Sequence, residues 1–387
     1  MHTAPPPAPV TDITVDEVIT GRLVQPVFQP IVELSTRTVT GLEALARGPA
    51  GTALQFPDRL FAAARAAGRL GELDMLCSER ALEIAVAAAV PPPLLFVNAE
   101  PEVIGQSLSP RLVELVSGGL PFREILEFTE RALPAAPGSM MRIAGLVQRW
   151  GNGLALDDVG VEPMSLAFLP ILEPEVIKLD MSLVRDPDSA HARTVSAVVR
   201  AEAQRTGAVV IAEGIETEAD LDSARRLGAG WGQGWLFGRP QPIEQATRHF
   251  HPSPSSALRP PRPGFHQAGD TPFQAAVRGV CRTASAVPAA LDRLRDMVAV
   301  DDTAVLLASC PGDDLPGAGE AMRDLAGRAG SYIPIEPPIP GEFAAAVIGP
   351  GYGHAVCVRT GDAVQVLTAD DLPTVAAVSR ALLRNRS

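Results

Sequence analysis

Eight short apolar segments dominate the N-terminal two thirds of the sequence. In chain order they are Pro26–Leu34, Val39–Arg47, Leu94–Ala99, Ile125–Thr129, Leu154–Asp158, Val176–Asp180, Val209–Glu213 and Gly230–Phe237. Each has the length and residue types of a β-strand, and amphipathic stretches of helical length separate most of them. Eight strands that alternate with helices predict a (β/α)8 barrel.

The first two predicted strands differ from the others because only residues 35–38 join them. Four residues cannot form a helical crossover, so these strands are predicted to pair as an antiparallel hairpin. A doubly wound open sheet is the alternative α/β fold, but no glycine-rich dinucleotide-binding motif follows any of the strands. The sequence therefore predicts a TIM-like barrel whose first strand is antiparallel.

Proline-rich stretches mark the limits of this barrel. Residues 1–13 form a Pro-rich lead, residues 14–250 the barrel, residues 251–270 a linker and residues 271–387 a small α+β domain. In that domain the predicted helices are Phe273–Thr283, Pro288–Val298 and Leu372–Arg384, and the predicted strands are Ala304–Ser309, Tyr332–Ile335, Ala344–Ile348, His354–Arg359 and Ala363–Leu367. Because the linker is predicted to separate two cores, we expect the barrel to fold without the second domain.

Charge and composition exclude several classes of partner. The net charge of −12 provides no basic stripe for a nucleic-acid polymer, although metal ions could still bring in a small phosphate ligand. Residues 1–9 lack a signal pattern, and the nearly apolar stretch Ile84–Val97 is too short for a membrane span. The four cysteines are scattered, which is typical of free thiols in a reducing compartment. We expect a cytoplasmic protein without a membrane partner.

Lys178 is the only lysine of the chain, and the other 32 of its 33 Lys and Arg residues are arginines. The residue bias of the sequence favours arginine, so a lysine that persists either survives by chance or indicates a place where a guanidinium does not serve. A compact ammonium fits beside a phosphate oxygen or a metal-bound water where a wide planar guanidinium does not. Lys178 also ends a short apolar run, as catalytic groups of barrel enzymes do.

Polar side chains close most of the predicted barrel strands. They are Glu43, Asn98, Glu127, Asp157, Asp158, Lys178 and Glu213, with Gln233 on the last strand. The carboxyl ends of barrel strands meet at one mouth, so we expect these side chains to lie together. Each residue taken singly is more often a turn former or a solvated acid. The set as a whole predicts a site for hard divalent cations such as Mg²⁺ or Mn²⁺.

Asp157 and Asp158 are neighbours, and neighbours on a regular strand point to opposite faces. Both reach the mouth only if the strand ends there, as the following Val159 and Gly160 suggest. Asp157 could then bridge two ions while Asp158 holds one. Two metal ions at this spacing are the usual device for in-line attack of water on a phosphodiester.

Eight segments of the sequence resemble one family. They are Phe28–Val32, Gly41–Arg47, Val97–Asn98, Leu126–Glu130, Leu156–Asp158 with Ile177–Asp180, Ala212–Glu216 and Gln233–Gly234. In this order and spacing, from about Thr14 to His249, they resemble the EAL-domain cyclic di-GMP phosphodiesterases. The tripeptide Glu43-Ala44-Leu45 alone would not be specific, whereas the set is.

The resemblance implies hydrolysis of cyclic di-GMP to linear pGpG with two Mg²⁺ or Mn²⁺ ions. It implies these roles: Glu43, Asn98, Glu127 and Asp157 as metal ligands, Asp158 at the second metal, Lys178 at the attacking water or a phosphate oxygen, Glu213 at metal or water, Gln233 in the same network, Gln29 and Arg47 at the ligand, and Glu130 as support for the loop after Asp158. Lys178, Glu213 and Asp158 would be the catalytic residues. A homodimer through the barrel is a further expectation.

The loop after Asp158 departs from the family pattern. The family usually has Phe-Gly-Thr-Gly-Tyr-Ser-Ser at this place, and this chain has residues 159–165, Val-Gly-Val-Glu-Pro-Met-Ser. The second glycine and the aromatic residue are absent, and Pro163 restricts the backbone of Glu162. Harmless loop variation is one interpretation. A weakened second metal site, with slow or no turnover, is the other.

The second domain resembles sensor modules of the GAF or DICT type in its architecture alone. Three functions therefore compete. A metal-dependent cyclic di-GMP phosphodiesterase leads, because the whole acidic set and Lys178 are present. A receptor that binds cyclic di-GMP without cleaving it would agree with the changed loop. A degenerate barrel that acts as an interaction scaffold would predict losses among the acidic residues, and the sequence shows none.

Overall fold

The computed structural model describes most of the chain and leaves out its two ends and several short internal stretches. The described residues are 13–100, 102, 105–129, 136–162, 164–248, 258–266, 269–284, 286–300, 303–310, 318–361 and 363–384. Most of the Pro-rich lead and the first part of the predicted linker therefore lie outside the described residues.

The eight predicted strands of the barrel are all present and close into one barrel in chain order. They are β1 (Val27–Glu33), β2 (Val39–Leu45), β3 (Leu94–Ala99), β4 (Arg123–Thr129), β5 (Gly153–Val159), β6 (Val176–Leu179), β7 (Val209–Ala212) and β8 (Trp231–Gln233). β1 pairs antiparallel with both β2 and β8, and the other neighbouring pairs are parallel. The TIM-like barrel with an antiparallel first strand is confirmed.

Ten described helices accompany the barrel, and local capping explains where several of them begin and end. They are α1 (Val15–Thr20), α2 (Pro57–Ala66), α3 (Leu70–Ala87), α4 (Pro110–Ser117), α5 (Pro137–Arg149), α6 (Ser165–Leu172), α7 (Met181–Arg185), α8 (Ala190–Thr206), α9 (Glu218–Leu227) and α10 (Ile243–Ala246). Thr217 and Asp220 form a capping box at the start of α9, and Gly228 ends that helix with a φ of 96°. Such caps satisfy backbone groups that a helix leaves unpaired at its ends.

The interior of the barrel is filled by apolar side chains from its strands. One buried cluster contains Ile31, Leu94, Phe96, Ile125, Ala155, Val176, Ile211, Trp231 and Leu258. Successive strand residues point to opposite faces, so every second residue contributes to this interior. Leu258 comes from the predicted linker and is only 8% exposed. The barrel is therefore a packed core whose polar groups are left to its two ends.

After the barrel, the described residues form a six-stranded sheet between two layers of helices. Its strands are β9 (Arg282–Thr283), β10 (Val305–Ser309), β11 (Ser331–Pro334), β12 (Glu342–Gly349), β13 (Tyr352–Arg359) and β14 (Gln365–Ala369), in the spatial order β11-β10-β12-β13-β14-β9. Its helices are α11 (Pro272–Arg278), α12 (Val287–Val300), α13 (Ala318–Arg328) and α14 (Leu372–Arg384). Along β12, Phe343 and Val347 face α12 and α13, whereas Ala344 and Ile348 face α11 and α14.

Two details of this unit differ from the prediction. The helix predicted over Phe273–Thr283 ends at Arg278, because Gly279 follows with extended backbone and residues 282–283 pair with β14. The helix α13 was not expected from the sequence. Its buried residues Met322 and Leu325 lie among many polar neighbours in the sequence, so the apolar face of the helix is short. Packing on the sheet, rather than a local pattern, stabilises this helix.

The two units share one hydrophobic core across their junction. Phe168 and Leu169 of α6 belong to the same buried cluster as Val375 and Leu382 of α14, and α14 packs against both α5 and α6. The described part of the linker, residues 258–266, lies against the barrel and is held there by Arg259 and Arg262. This continuity differs from the separate cores that the sequence predicts, because packing between distant segments leaves no local sequence pattern. Among the described helices, none is both long and apolar enough to cross a membrane.

Candidate active site

Strand periodicity positions the functional side chains at the mouth of the barrel. On strand after strand, an inward apolar residue is followed two positions later by a polar one: Phe96 and Asn98, Ile125 and Glu127, Ala155 and Asp157, Val176 and Lys178, Ile211 and Glu213, Trp231 and Gln233. A shift of two residues keeps a side chain on the same face and moves it along the strand axis. The polar residues therefore point inward above the apolar interior, where the carboxyl ends of the strands meet.

Lys178 lies at the centre of this group and is 0% exposed. Its Nζ atom is 2.7 Å from Glu213 Oε1, 2.9 Å from Glu127 Oε1, 3.1 Å from Asp157 Oδ1 and 3.9 Å from Glu43 Oε1. Burial alone would lower the pKa of the ammonium, but the four carboxylates raise that pKa well above its ordinary value. The single lysine is thus a permanently charged cation enclosed by carboxylates.

The carboxylates crowd one another as well as the lysine. Burial raises the pKa of Glu127 well above its ordinary value, with further increases from Glu43 and Asp157 that Lys178 opposes. Burial together with the Asp157 carboxylate raises the pKa of Glu213 to about 8. Burial is the main cause of both shifts, and the neighbouring carboxylates add to it while Lys178 opposes it.

Glu43 is held by amide side chains from two other strands. Asn98 Nδ2 donates to Glu43 Oε1 at 2.9 Å, and Gln233 Nε2 donates to Glu43 Oε2 at 2.5 Å. Gln233 Nε2 also lies 3.2 Å from Gln29 Oε1, and Gln29 Nε2 donates to the Gly238 carbonyl. Burial acts to raise the pKa of Glu43, but Lys178 and these amide donors outweigh it and lower that pKa. Glu43 is therefore an ionised and rigidly oriented carboxylate.

An irregular backbone brings both aspartates of β5 to the mouth. Asp158 has a φ of 57°, and the pairing of β5 with β6 shifts between Leu156 and Val159. The Asp158 amide donates to Asp157 Oδ1 at 3.0 Å. The strand continues to Val159, whereas the sequence predicts that it ends at Asp158. The left-handed conformation of Asp158, rather than the end of the strand, brings both aspartates to the mouth. Carboxylate oxygens of Asp157, Asp158 and Glu213 lie within 4.8 Å of one another.

The donor set fits divalent cations. The five carboxylates Glu43, Glu127, Asp157, Asp158 and Glu213 carry five negative charges when ionised, and Lys178 carries one positive charge, which leaves four in excess. Both carboxylate oxygens of Glu127 are buried without a hydrogen-bond partner among the described residues; the Lys178 contact to Oε1 is an ion pair without hydrogen-bond alignment. Unpartnered buried oxygens beside excess negative charge suit Mg²⁺ or Mn²⁺, which prefer oxygen ligands.

Two cavities flank Glu43 at the mouth. One, of 380 Å³, is lined by Arg47 and Asn98 among others, and the second, of 360 Å³, by Gln29, Asp158, Glu213 and Gln233. Arg47 is half-buried, donates to the Ala46 carbonyl at 2.7 Å, and has a pKa lowered by burial. The predicted ligand-contacting residues are therefore divided between the two cavities.

The cavities also contain residues that the sequence analysis missed. Burial raises the pKa of Asp74, on α3 in the first cavity, to about 7. Trp235, in the second cavity, is 52% exposed, and the Arg239 guanidinium lies 4.0 Å from its ring centroid. Asp74 lies on a helix rather than at a strand end, so strand-end reasoning could not find it. An exposed tryptophan next to Gln233 is a signal that could have been used.

The loop after Asp158 is tied to neighbouring elements at its described residues. The Val161 amide donates to the Asp158 carbonyl at 3.2 Å, and His191 Nε2 lies 2.6 Å from the Gly160 carbonyl. Gly160 has a φ of 110°, a conformation that favours glycine, and faces Leu183. Pro163 and Glu130, the residue predicted to steady this loop, lie outside the described residues.

Comparison with curated proteins gives relatives for the barrel part of the chain. The probable cyclic di-GMP phosphodiesterase PdeB of Escherichia coli K12 is 30% identical over 228 residues, which cover 57% of this chain and 43% of that protein. The cyclic di-GMP phosphodiesterase NbdA of Pseudomonas aeruginosa is 32% identical over 256 residues, which cover 62% of this chain and 32% of that protein. The chain thus spans less than half the length of each of these relatives.

Solved structures and a family match lead to the same assignment. A manganese/cyclic di-GMP complex of BlrP1 from Klebsiella pneumoniae superposes with a TM-score of 0.50 and 28% identity, covering 57% of each chain. The PaMucR phosphodiesterase in complex with c-di-GMP has a TM-score of 0.52 and 23% identity, covering 60% of this chain and 97% of that one, and supports the fold alone. Residues 14–240, more than half of the chain, match the EAL domain. The chain therefore belongs to the EAL-domain family.

Proposed function

We propose that this protein hydrolyses cyclic di-GMP to linear pGpG and uses two divalent cations, Mg²⁺ or Mn²⁺. The observation that carries the proposal is the buried Lys178 ammonium with four carboxylates around it and the Asp158 carboxylate beside two of them. The relatives PdeB and NbdA are named as cyclic di-GMP phosphodiesterases, and BlrP1 was solved with manganese or calcium and cyclic di-GMP. Those facts concern the relatives, and their agreement with this donor set supports the same substrate here.

The donors divide between two places for metal ions. Glu43, Asn98, Glu127 and Asp157 would hold one ion, and Asp157, Asp158 and Glu213 would surround the second. When bound, the two ions supply Lewis acidity and lower the pKa of water at the site. The excess of four negative charges in the ionised site matches the charge of two divalent cations, which supports the pair rather than a single ion.

Lys178 would stabilise negative charge on the attacked phosphate. Its ammonium is excluded from water and held by three carboxylate contacts of 3.1 Å or less, so it needs no reorganisation when charge develops. Glu213, whose Oε1 atom lies 2.7 Å from Lys178 Nζ, would help to hold the second ion or the attacking water. Glu43, which is ionised and oriented by amide donors, would serve as a ligand.

The two mouth cavities would accommodate the two halves of the dinucleotide. They share Glu43 between them, so a ligand that spans both would place its phosphodiester next to the carboxylate cluster. Arg47 in one cavity would bind a phosphate, since its planar fork can bond two oxygens at once. Gln29 and Gln233 in the other would contact the ligand through amide groups that the Gly238 carbonyl and Glu43 already orient.

A cyclic di-GMP receptor without turnover is the second candidate function. It is favoured by the changed loop, in which Val161 is 44% exposed beside Asp158. The presence of Asp157, Asp158 and Glu213 within 4.8 Å opposes it, because these are the residues that a second ion would need. For either function we also propose a sensor role for the second unit, a homodimer through the barrel and a cytoplasmic location.

Product analysis of the purified full chain tests the function. The protein is incubated with cyclic di-GMP and Mn²⁺, then Mg²⁺, and pGpG is detected by chromatography. We expect product that disappears with EDTA and in Lys178→Ala, and that persists in Arg328→Gln, which removes an exposed cation far from the mouth. Saturable binding of intact cyclic di-GMP without product would assign the receptor instead. Neither binding nor product would exclude both functions.

A further inference from the structure

A cavity lies outside the barrel mouth, where the predicted linker meets the second unit. Its volume is 260 Å³. The residues that line it include Phe265, His266, Asp270, Arg278, Arg380 and Arg384. The linker, α11 and α14 each contribute to it, so the cavity lies between the linker and the second unit.

The charged residues of this cavity are mostly cations. Arg278, Arg380 and Arg384 carry three positive charges against one negative charge on Asp270, which leaves a net charge of +2. Arg278 Nη1 contacts Asp270 Oδ2 at 2.6 Å, and Arg384 Nη2 donates to the Asp270 carbonyl at 2.8 Å. In a protein with a net charge of −12, a cavity of this sign attracts anions against the overall field.

Arg380 places one of these charges away from water. Its Nη1 atom donates to the carbonyls of Pro170 and Ile171, at 3.1 and 3.2 Å, and its guanidinium stacks on the Phe265 ring at 4.2 Å. Burial lowers the pKa of Arg380 to about 10. Glu173 acts on Arg380 without a direct ion pair between these two described residues and is itself paired with Arg205 and Arg262, so it compensates the charge of Arg380 only in part.

His266 supplies a hydrogen-bond acceptor of fixed orientation. The side chain is 3% exposed, and its Nε2 atom lies 2.8 Å from the Leu172 carbonyl, to which it must donate. Burial lowers the pKa of His266 to about 4, so the ring is neutral and its Nδ1 atom carries a lone pair. Nδ1 is buried and has no hydrogen-bond partner among the described residues. Such a group costs free energy unless a ligand or water donates to it.

We propose that this junction cavity is a binding site for a hydrogen phosphate group, either free or as the terminal group of a small phosphate ester. Hydrogen phosphate carries two negative charges, matching the net charge of the lining side chains. Its three unprotonated oxygens accept from the guanidinium groups, and its P–OH group donates to His266 Nδ1. Sulfate has the charge without the donor, and a carboxylate has neither the second charge nor the donor.

Calorimetric titration of the full-length, metal-free chain with inorganic phosphate tests the site. Removal of metal by a chelator followed by dialysis keeps the active site from binding phosphate through metal ions. We expect saturable binding at one site, and weaker binding of sulfate and acetate at equal ionic strength. No saturable binding, or equal affinity for sulfate and phosphate, would overturn the proposal without any variant.

Paired variants locate the binding. Arg278→Gln combined with Arg384→Gln removes two cavity cations and should raise the Kd for phosphate by roughly tenfold or more, since charge-assisted hydrogen bonds are lost. Arg293→Gln combined with Arg328→Gln removes the same charge from α12 and α13, on the opposite side of the sheet, and should leave the Kd unchanged. Equal effects of the two pairs would place phosphate elsewhere and overturn the proposal.

Phosphate esters and vesicles identify the source of the group. Methyl phosphate should compete with inorganic phosphate for the site. Vesicles of phosphatidylcholine that contain phosphatidic acid should not bind the chain, because His266 is only 3% exposed and lies too deep in the junction for a lipid surface to reach. Vesicle binding that depends on Arg278 and Arg384, without binding of soluble phosphate, would assign these arginines to a membrane surface and overturn the proposal.

Discussion

The two ends of the barrel both bury carboxylates, but they treat them in opposite ways. At the amino end, Glu175 is 0% exposed, and its two oxygens accept from Gln148 Nε2 at 2.9 Å and from the Leu154 amide at 2.8 Å. At the carboxyl end, Glu127 is 1% exposed, and its Oε2 atom has no described partner. A buried carboxylate thus has hydrogen-bond donors for both oxygens at the amino end, whereas Glu127 at the carboxyl end lacks them among the described residues.

Glu173, next to the amino end, is a carboxylate whose negative charge is compensated by ion pairs. Its oxygens contact Arg205 Nη1 at 2.9 Å and Arg262 Nη1 at 2.6 Å. Burial acts to raise the pKa of Glu173, but these two cations outweigh it and lower that pKa. For Glu213 at the mouth the balance is reversed, and its pKa rises to about 8. Complete pairing indicates a structural role, and incomplete pairing indicates a place for a ligand.

The largest expected effect is on turnover at the carboxyl end of the barrel. Lys178→Arg should reduce kcat by at least about 10²-fold, because a planar guanidinium cannot replace an ammonium held by carboxylates on several sides. Far-ultraviolet circular dichroism with Mn²⁺ present should show an unchanged fold. Steady-state kinetics with Arg328→Gln as the control measures the effect. An unchanged rate in Lys178→Arg would remove Lys178 from the mechanism.

The next effect concerns the stability of the protein and arises at the amino end of the barrel. Glu175→Ala should lower the free energy of unfolding by about 3–5 kcal/mol, because it leaves Gln148 Nε2 and the Leu154 amide unpaired and the nearby Arg259 without its anion. Denaturant unfolding of the full chain measures the change. Glu244→Ala, at an exposed position of α10, is the matched control and should change the value by less than about 0.5 kcal/mol. A similarly small change for Glu175→Ala would contradict the structural role.

The smallest effect is a gain of stability at the carboxyl end of the barrel. Because the folded pKa of Glu213 is raised to about 8, its ionisation destabilises the metal-free protein increasingly as pH rises from about 4.5 to 8. Glu213→Gln removes this ionisation and should make the metal-free protein more stable at pH 8 than the parent, with little difference at pH 4.5. Thermal unfolding after removal of metal, at both pH values, measures it. A destabilised variant at pH 8 would show that Glu213 is structurally paired.

The barrel and much of its mouth could be predicted from the sequence because strand signals are local. Eight apolar runs gave strands within about two residues at most ends, and the polar residues near the ends of most runs marked the mouth. The left-handed Asp158 was not predictable, since aspartate adopts many conformations and only the surrounding pairing selects this one. Asp74 and the docking of the second unit depend on contacts between distant segments, which no window of sequence reports.

The C-terminal end of α6 has a consequence for how this chain can change in evolution. Its carbonyls at Pro170, Ile171 and Leu172 accept from Arg380 and His266, and Glu173 is bonded by Arg259 and Arg262. A recombination event that exchanged the linker together with the second unit would remove these donors and uncover the apolar face of α6. The barrel of this chain is therefore not an interchangeable module, and its two parts are expected to be inherited together.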